Sequence, residues 1–365
     1  MPLSDFNPAN YNELLKEKVA RITPEFKALG APEADIFPSA PDHFRMRAEF
    51  RIQHIDGEPR YVMFRKTGDR KAVVIEHFPI ACERIANVME PLRQAIAQSE
   101  ALTHRLFQVE FLSGLSGELL VTLIYHRPLD DAWQQAAQTL MEAFSISVIG
   151  RSRKQQLVLN KAFITETLHA DNRDFTFRHY ENSFTQPNAR VNEQMISWAC
   201  KQVSGARDDD LLELYCGCGN FTLPLSRYFD KVLATEVSKT ATRAAIENCE
   251  INAISNIEFA RLSAEEISQA LKKVRPFRRL AHLDLDDYKL NTVFVDPPRA
   301  GLDDFTREFI GGFERILYIS CNPVTLARDL MYLCQDHHIQ SLAFFDQFPY
   351  TTHMECGVFL ERKTL

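Results

Sequence analysis

The sequence contains no apolar run of the roughly 18 residues that a membrane span needs. Its first twenty residues, through Asn7 and Tyr11 to Ala20, mix charged and apolar side chains and hold no long hydrophobic core of a signal peptide. Both absences point to a cytoplasmic protein with no membrane partner. The eight cysteines, at positions 82, 200, 216, 218, 249, 321, 334 and 356, include no pair of CxxC units. Reduced thiols are expected, with no structural metal and no disulfide framework. Positive charge is also scarce: a net charge of -7 argues against a nonspecific nucleic-acid binder, although it leaves room for a local basic groove. There is no internal repeat and no low-complexity linker, and no obligate protein partner is evident.

What is present is an ordinary globular composition. With 365 residues, 45% hydrophobic and 25% charged, the chain is long enough for about two domains and too apolar to be disordered or fibrous. A helical segment is predicted around Tyr11 to Leu29, ending near Gly30 and Pro32. Alternating apolar and charged residues then predict antiparallel strands over Phe44 to Ile55, Arg60 to Phe64 and Ala72 to Ile75. From Asp42 to Lys71, eight basic residues (Arg45, Arg47, Arg51, Arg60, Arg65, Lys66, Arg70 and Lys71) face five acidic ones, with Phe44, Phe50, Tyr61 and Phe64 interleaved. This is the pattern of a phosphate-binding face with stacking side chains, or equally of a solvated sheet surface. Strands at Phe107 to Leu112 and Leu119 to Tyr125, then a helix from Leu129 to Phe144, complete a small α+β region over residues 1–175.

From residue 176 the pattern changes to short apolar runs alternating with helix-length segments: Leu211 to Tyr215, Val232 to Glu236, Ile257 to Arg261, Thr292 to Asp296 and Ile316 to Ser320. That order reads as a doubly wound α/β domain over 176–365. Ser341 to Asp346 and Cys356 to Glu361 have no helix between them and are expected to pair antiparallel at the sheet edge. The strand that begins at Leu211 runs into Tyr215-Cys216-Gly217-Cys218-Gly219-Asn220, a turn whose glycines would let a ligand approach the backbone. A bare tight turn would look the same. Thr222 stands where a nicotinamide fingerprint wants a third small residue, which weakens a pyrophosphate reading. Glu236 ends the next strand, where a carboxylate can accept hydrogen bonds from a ribose diol. Asp296-Pro297-Pro298-Arg299 closes the fourth strand at the same edge.

Cys321 follows the fifth strand, so this topology brings its sulfur to the ligand-binding edge; its two readings are a nucleophile and a small packed hydrophobe. Glu355, where a loop enters the last strand beside His353, is a candidate proton acceptor or a solvated loop glutamate.

Ser183-Phe184-Thr185-Gln186-Pro187-Asn188, the Glu213 to Phe221 turn, Asp296 to Gly301, Ser320 to Pro323 and His353 to Gly357, taken in order, resemble the RNA 5-methyluridine methyltransferase family, on its tRNA-modifying branch. Phe44 to Arg51 and Asp346 to Tyr350 extend the likeness over nearly the whole chain. The resemblance implies a Rossmann-like class I methyltransferase domain with a seven-stranded sheet, preceded by a smaller RNA-binding α+β domain. It implies that Gln186, Tyr215, Asn220, Glu236 and Asp296 contact S-adenosylmethionine, that Cys321 is the nucleophile and that Glu355 is the proton acceptor. It further implies that the substrate is the T-loop uridine of tRNA, with a similar loop in tmRNA as a second. Uracil carbon 5 becomes nucleophilic only after a thiolate adds to carbon 6, which gives Cys321 its task. Related enzymes acting on ribosomal RNA typically carry an iron–sulfur cluster; with only Cys82 before residue 200, none is expected here. Enzymes that make 5-methylcytidine place a cysteine just after the aspartate-proline motif, where this chain has Pro298 and Arg299. Arg47, Arg51 and Phe107 are the candidate RNA contacts. Two rivals remain at this point: a noncatalytic RNA-binding module, and a nicotinamide oxidoreductase that would leave Cys321 without a role.

Overall fold

The computed structural model describes residues 6–64, 71–205 and 209–364. Arg65, Lys66 and Arg70 of the basic stretch therefore lie outside the described residues. The chain divides into two compact units that interleave along the sequence. The first holds the residues through Ala9, Ala40–Thr167 and Arg178–Ala189; the second holds Asn10–Ser39, Leu168–Phe177 and Arg190–Leu365. A single boundary at 175/176 does not describe this division. The helix α1 (Tyr11–Ala28) and the short strand β1 (Asp35–Phe37) belong to the second unit because β1 pairs in parallel with residues 343–345.

The sheet of the first unit contains β2 (Arg47–Ile55), β3 (Glu58–Phe64), β4 (Ala72–Val74), β5 (Leu106–Ser113), β6 (Leu119–Tyr125), β7 (Ser147–Ser152) and β8 (Gln155–Leu159), in the order β4-β3-β2-β5-β6-β7-β8. Asp56 and Gly57, both at positive φ, make the tight turn between β2 and β3 that the right-handed twist of a hairpin favours. Along β2, Ala48 and Phe50 are buried while Glu49 is exposed and Arg47 and Arg51 are half-buried, the period-two alternation expected of a sheet with one apolar face. Phe50 packs against Tyr61, Phe78 and Phe111. The helices α2 (Glu83–Ala97), α3 (Glu100–Thr103) and α4 (Asp131–Phe144) accompany this sheet. Asp130 caps α4 by accepting from the Trp133 amide at 2.8 Å, and Trp133 lies so close to β7 that a Cβ on Gly150 would sit 2.3 Å from its ring.

A hairpin of β9 (Phe163–Ala170) and β10 (Arg173–Tyr180) leads to α5 (Ala189–Val203). The second unit then alternates β11 (Asp210–Leu214), α6 (Thr222–Leu225), β12 (Val232–Thr235), α7 (Lys239–Ile251), β13 (Ile257–Ala260), α8 (Ala264–Leu271), β14 (Leu290–Val295), α9 (Asp304–Ile310), β15 (Arg315–Ser320) and α10 (Pro323–Leu333). It ends with β16 (His337–Phe345) and β17 (Glu355–Arg362). The strand order is β1-β16-β17-β15-β14-β11-β12-β13, with β17 antiparallel to both its neighbours and every other pairing parallel.

This is the doubly wound α/β fold, and β16 and β17 do pair antiparallel. The sheet has eight strands rather than seven because β1 covers the outer side of β16. Every residue of β11 is buried, as befits a central parallel strand covered on both faces. Gly357 on β17 makes room for α5: a Cβ there would lie 2.6 Å from the Trp198 ring.

Candidate active site at the carboxyl edge of the second unit

Four parallel strands end at one edge of the sheet, and the turns that follow them carry the chemistry. After β11 the chain turns through Tyr215, Gly217 and Gly219, all at positive φ. A Cβ on Gly219 would lie 2.5 Å from a Leu223 methyl, whereas one on Gly217 would meet nothing within 4 Å and would occupy the open space a ligand needs. The turn is held by the Asn248 side chain, which donates to the Cys218 carbonyl at 3.0 Å. Glu236, just after β12, accepts from the Gly217 amide at 3.1 Å and the Ser238 amide at 2.7 Å, one on each carboxylate oxygen. Two oxygens fixed in this way keep lone pairs for a diol. Asn220 exchanges both amide hydrogen bonds with Asn192 of α5, at 2.8 and 2.9 Å, so its orientation is set before any ligand arrives.

The register of the sheet settles where the two candidate catalytic residues lie. Ser320 on β15 pairs with Cys356 on β17, so one step toward the edge brings Cys321 beside Glu355. The electrostatics agree. The Cys321 thiol is pushed up to about 11 by burial first, then by the charges of Glu355 and Asp296, while the Arg299 guanidinium pulls the other way. Burial, with Asp296 adding to it, holds Glu355 well above the usual carboxylate range. Asp296, after β14, is raised to about 7 by burial. Arg299 approaches His353 Nδ1 at 3.1 Å, joining the loop after β14 to the loop before β17.

Tyr215, Asn220, Glu236, Asp296, Cys321 and Glu355 thus all belong to the second unit and to the turns at this edge. Gln186 falls in the first unit, where its Oε1 is buried without a hydrogen-bond partner. One acidic residue at the edge was not singled out in the sequence. Glu213 of β11 is 1% exposed, its Oε2 has no partner, and burial followed by the Asp296 charge raises it to about 8. The signal was a lone carboxylate inside the apolar run Leu211-Leu212-Glu213-Leu214. Asn192 had no such signal, because its role depends on a tertiary contact.

Three acids withdrawn wholly or partly from water, none of them ion-paired among the described residues, fit a cationic cosubstrate such as a sulfonium, and the glycine turn with Glu236 fits its nucleoside. Among the described residues, no group of three or more His, Cys, Asp or Glu is arranged to hold a metal ion. The family model described as tRNA (Uracil-5-)-methyltransferase matches residues 10–363. The chain belongs to this tRNA (uracil-5-)-methyltransferase family. Its relatives include the tRNA/tmRNA (uracil-C(5))-methyltransferases of Pseudomonas putida KT2440, 52% identical over 98% of this chain and 99% of that one, and of Stutzerimonas stutzeri A1501, 51% identical over the full length of both. The tRNA (uracil-54, C5)-methyltransferase of Pyrococcus abyssi, solved with S-adenosyl-L-homocysteine, shares the fold: the TM-score is 0.72 at 24% identity, over 96% of this chain and 83% of that one. As a tRNA (uracil-5-)-methyltransferase the chain uses S-adenosylmethionine to methylate carbon 5 of a uracil in tRNA.

Proposed function

We propose that this enzyme methylates the T-loop uridine of tRNA, and a similar loop in tmRNA, through a covalent adduct between Cys321 and uracil carbon 6. The names of its relatives support the two RNA classes, and the adjacency of Cys321 and Glu355 across β15 and β17 carries the mechanism. The cytoplasm is the proposed location. Among the described residues no helix is long and apolar enough to cross a membrane.

Tyr215, Asn220, Glu236 and Asp296 would hold S-adenosylmethionine, which would supply an electrophilic methyl group. Cys321 adds as thiolate to carbon 6, which converts the ring to an enolate nucleophilic at carbon 5. Arg299 favours the thiolate, opposing the burial that disfavours it. Once carbon 5 bears the methyl group, Glu355 takes the proton from that carbon, and elimination returns the Cys321 thiolate and the aromatic ring. Burial makes Glu355 a stronger base than a solvated carboxylate. The uridine must leave its stack to reach this edge.

The stack formed by Arg51, Phe107 and His126 supports an RNA-facing role for the first unit: the Arg51 guanidinium lies 3.9 Å from the Phe107 ring centre, and that ring stacks on His126 at 4.0 Å. A register shift in the β5–β6 pairing at Phe107 accompanies this arrangement, in which Arg51 and Phe107 are half-buried and His126 is exposed.

The test is a nucleoside digest of tRNA methylated with labelled S-adenosylmethionine. Wild type should place label in T-loop 5-methyluridine. Cys321→Ala should lose turnover by at least about 10⁴-fold, whereas Glu355→Gln should slow it by about 10²–10⁴-fold and accumulate a methylated protein–RNA adduct. Substantial turnover by Cys321→Ala would refute the covalent route.

A further inference from the structure

In α1, Tyr11, Leu15, Ile22 and Phe26 recur at helical spacing on the buried face, and Lys18 lies among them, only 5% exposed. An ammonium in such a place must use its three donors. Lys18 Nζ donates to Asp346 Oδ1 at 2.5 Å, to the Phe348 carbonyl at 3.0 Å and to the His353 carbonyl at 2.9 Å. These acceptors span the loop between the end of β16 at Phe345 and the start of β17 at Glu355. The same N-terminal segment grips the loop elsewhere. Arg21 donates to the Thr352 carbonyl at 2.8 Å, the Tyr11 ring packs edge-on to Tyr350 at 6.0 Å, and the Asp346 amide donates to the Phe37 carbonyl at 3.0 Å.

Stability alone does not call for this arrangement. A buried ion pair costs about as much in lost hydration as it returns, and an apolar residue of similar volume at position 18 would serve helix packing as well. What the ammonium adds is direction, since two of its three bonds go to loop carbonyls and would be lost if the loop moved. Glu355 is the first residue of β17. Its ladder fixes the side toward Cys356, and the loop fixes the other.

We propose that Lys18 is a positioning residue for the methylation reaction: through the loop of residues 346–354 it holds the Glu355 carboxyl against the Cys321 adduct. The proposal rests on the reading of Glu355 as proton acceptor.

The experiment uses full-length enzyme carrying Lys18→Met with Asp346→Asn, a pair that leaves no unmatched buried charge, and separately Lys18→Gln, which removes only part of the bonding. Each is compared with wild type and Glu355→Gln for melting temperature, S-adenosylhomocysteine affinity, rate of covalent adduct formation, and release of tritium from carbon 5 of labelled tRNA. The double variant should melt near wild type, bind S-adenosylhomocysteine equally well and form the adduct at the normal rate. It should release tritium about 100-fold more slowly, the loss expected for a reacting group displaced by about 1 Å, while methylated adduct accumulates. Lys18→Gln should fall in between. Wild-type tritium release by either folded variant would overturn the proposal, and so would a loss confined to cofactor binding or adduct formation. If Glu355→Gln traps adduct and the Lys18 variants do not, the positioning role falls alone. If Glu355→Gln traps none, the proton-acceptor reading falls and this proposal with it.

Discussion

Two places in the molecule treat charge in opposite ways: the ion pairs around Arg93 and Glu118 in the first unit, and the carboxyl edge of the second. In the first, the charges come with partners. Arg93 holds Glu90 through two bonds of 2.7 and 2.8 Å and lowers its pKa to about 2, and Lys161 pairs with Glu118 at 2.8 Å. At the carboxyl edge of the second unit, Glu213 and Glu355 are buried and Asp296 half-buried, none of them forms an ion pair among the described residues, and all three are raised. A network satisfied within the protein serves the fold, whereas one left unsatisfied is waiting for a ligand. Arg51, also in the first unit, has a buried Nη1 without a hydrogen-bond partner and lies over an aromatic ring, which sets it apart from the paired Arg93.

The contrast can be tested by removing each imbalance. Arg51→Ala with Phe107→Ala should weaken tRNA binding by about 100-fold, given roughly 1–3 kcal/mol for a stacking contact, and flatten the salt dependence by about one unit of slope. S-adenosylmethionine affinity, measured by calorimetry, should not change; unchanged tRNA affinity would make Arg51 part of the structural network after all. Next in size is the reactivity of Cys321. Because its thiol sits at about 11, the thiolate fraction and the alkylation rate, followed on the Cys321 peptide by mass spectrometry, should rise about tenfold per unit between pH 7 and 9. Arg299→Ala, which removes the one opposing cation named above, should make alkylation several-fold slower; an unchanged rate would remove Arg299 from the thiol's surroundings.

The smallest effect concerns Glu213. Its folded-state value of about 8 lies above that of an unfolded glutamate, so between about pH 4.5 and 8 the native state holds a proton that the unfolded chain has released. Stability from this group is present at low pH and declines as pH rises toward 8. Glu213→Gln should therefore match wild type near pH 5 and melt a few degrees higher at pH 8 in the absence of cofactor. Parallel melting curves for the two proteins across this range would show that Glu213 is not the buried acid described here.

Much of the second unit was legible in the sequence because its signals are local. Apolar runs such as Val232 to Thr235, the two glycines after Tyr215 and the acids Glu236 and Asp296 that close two of the strands stand where a parallel sheet needs them. Cys321 and Glu355 each had two readings from the residues alone, and the register of β15 against β17 is what brings them together. The role of α1 and β1 was not legible. Asp35–Phe37 is too short to show a period, and its pairing partner lies near the other end of the sequence. In the sequence Lys18 is one more helix lysine, since nothing within ten residues of it hints that its acceptors are Asp346, Phe348 and His353. The reciprocal amide pair of Asn192 and Asn220 was hidden for the same reason.

The bond from Lys18 to Asp346 spans 328 positions of the chain, and β1 joins β16 across a similar distance. During synthesis on the ribosome, α1 and β1 emerge early but lack their late partners until α10, β16 and the loop after it are made, whereas the residues of the first unit through Thr167 are available to fold well before then. The apolar stripe of α1 must therefore be kept from wrong contacts while most of the protein is still being translated. A chain cut short before residue 346 would lack both the anchor for Lys18 and the base at Glu355, so the contact that completes the fold also registers that the catalytic end of the chain has arrived.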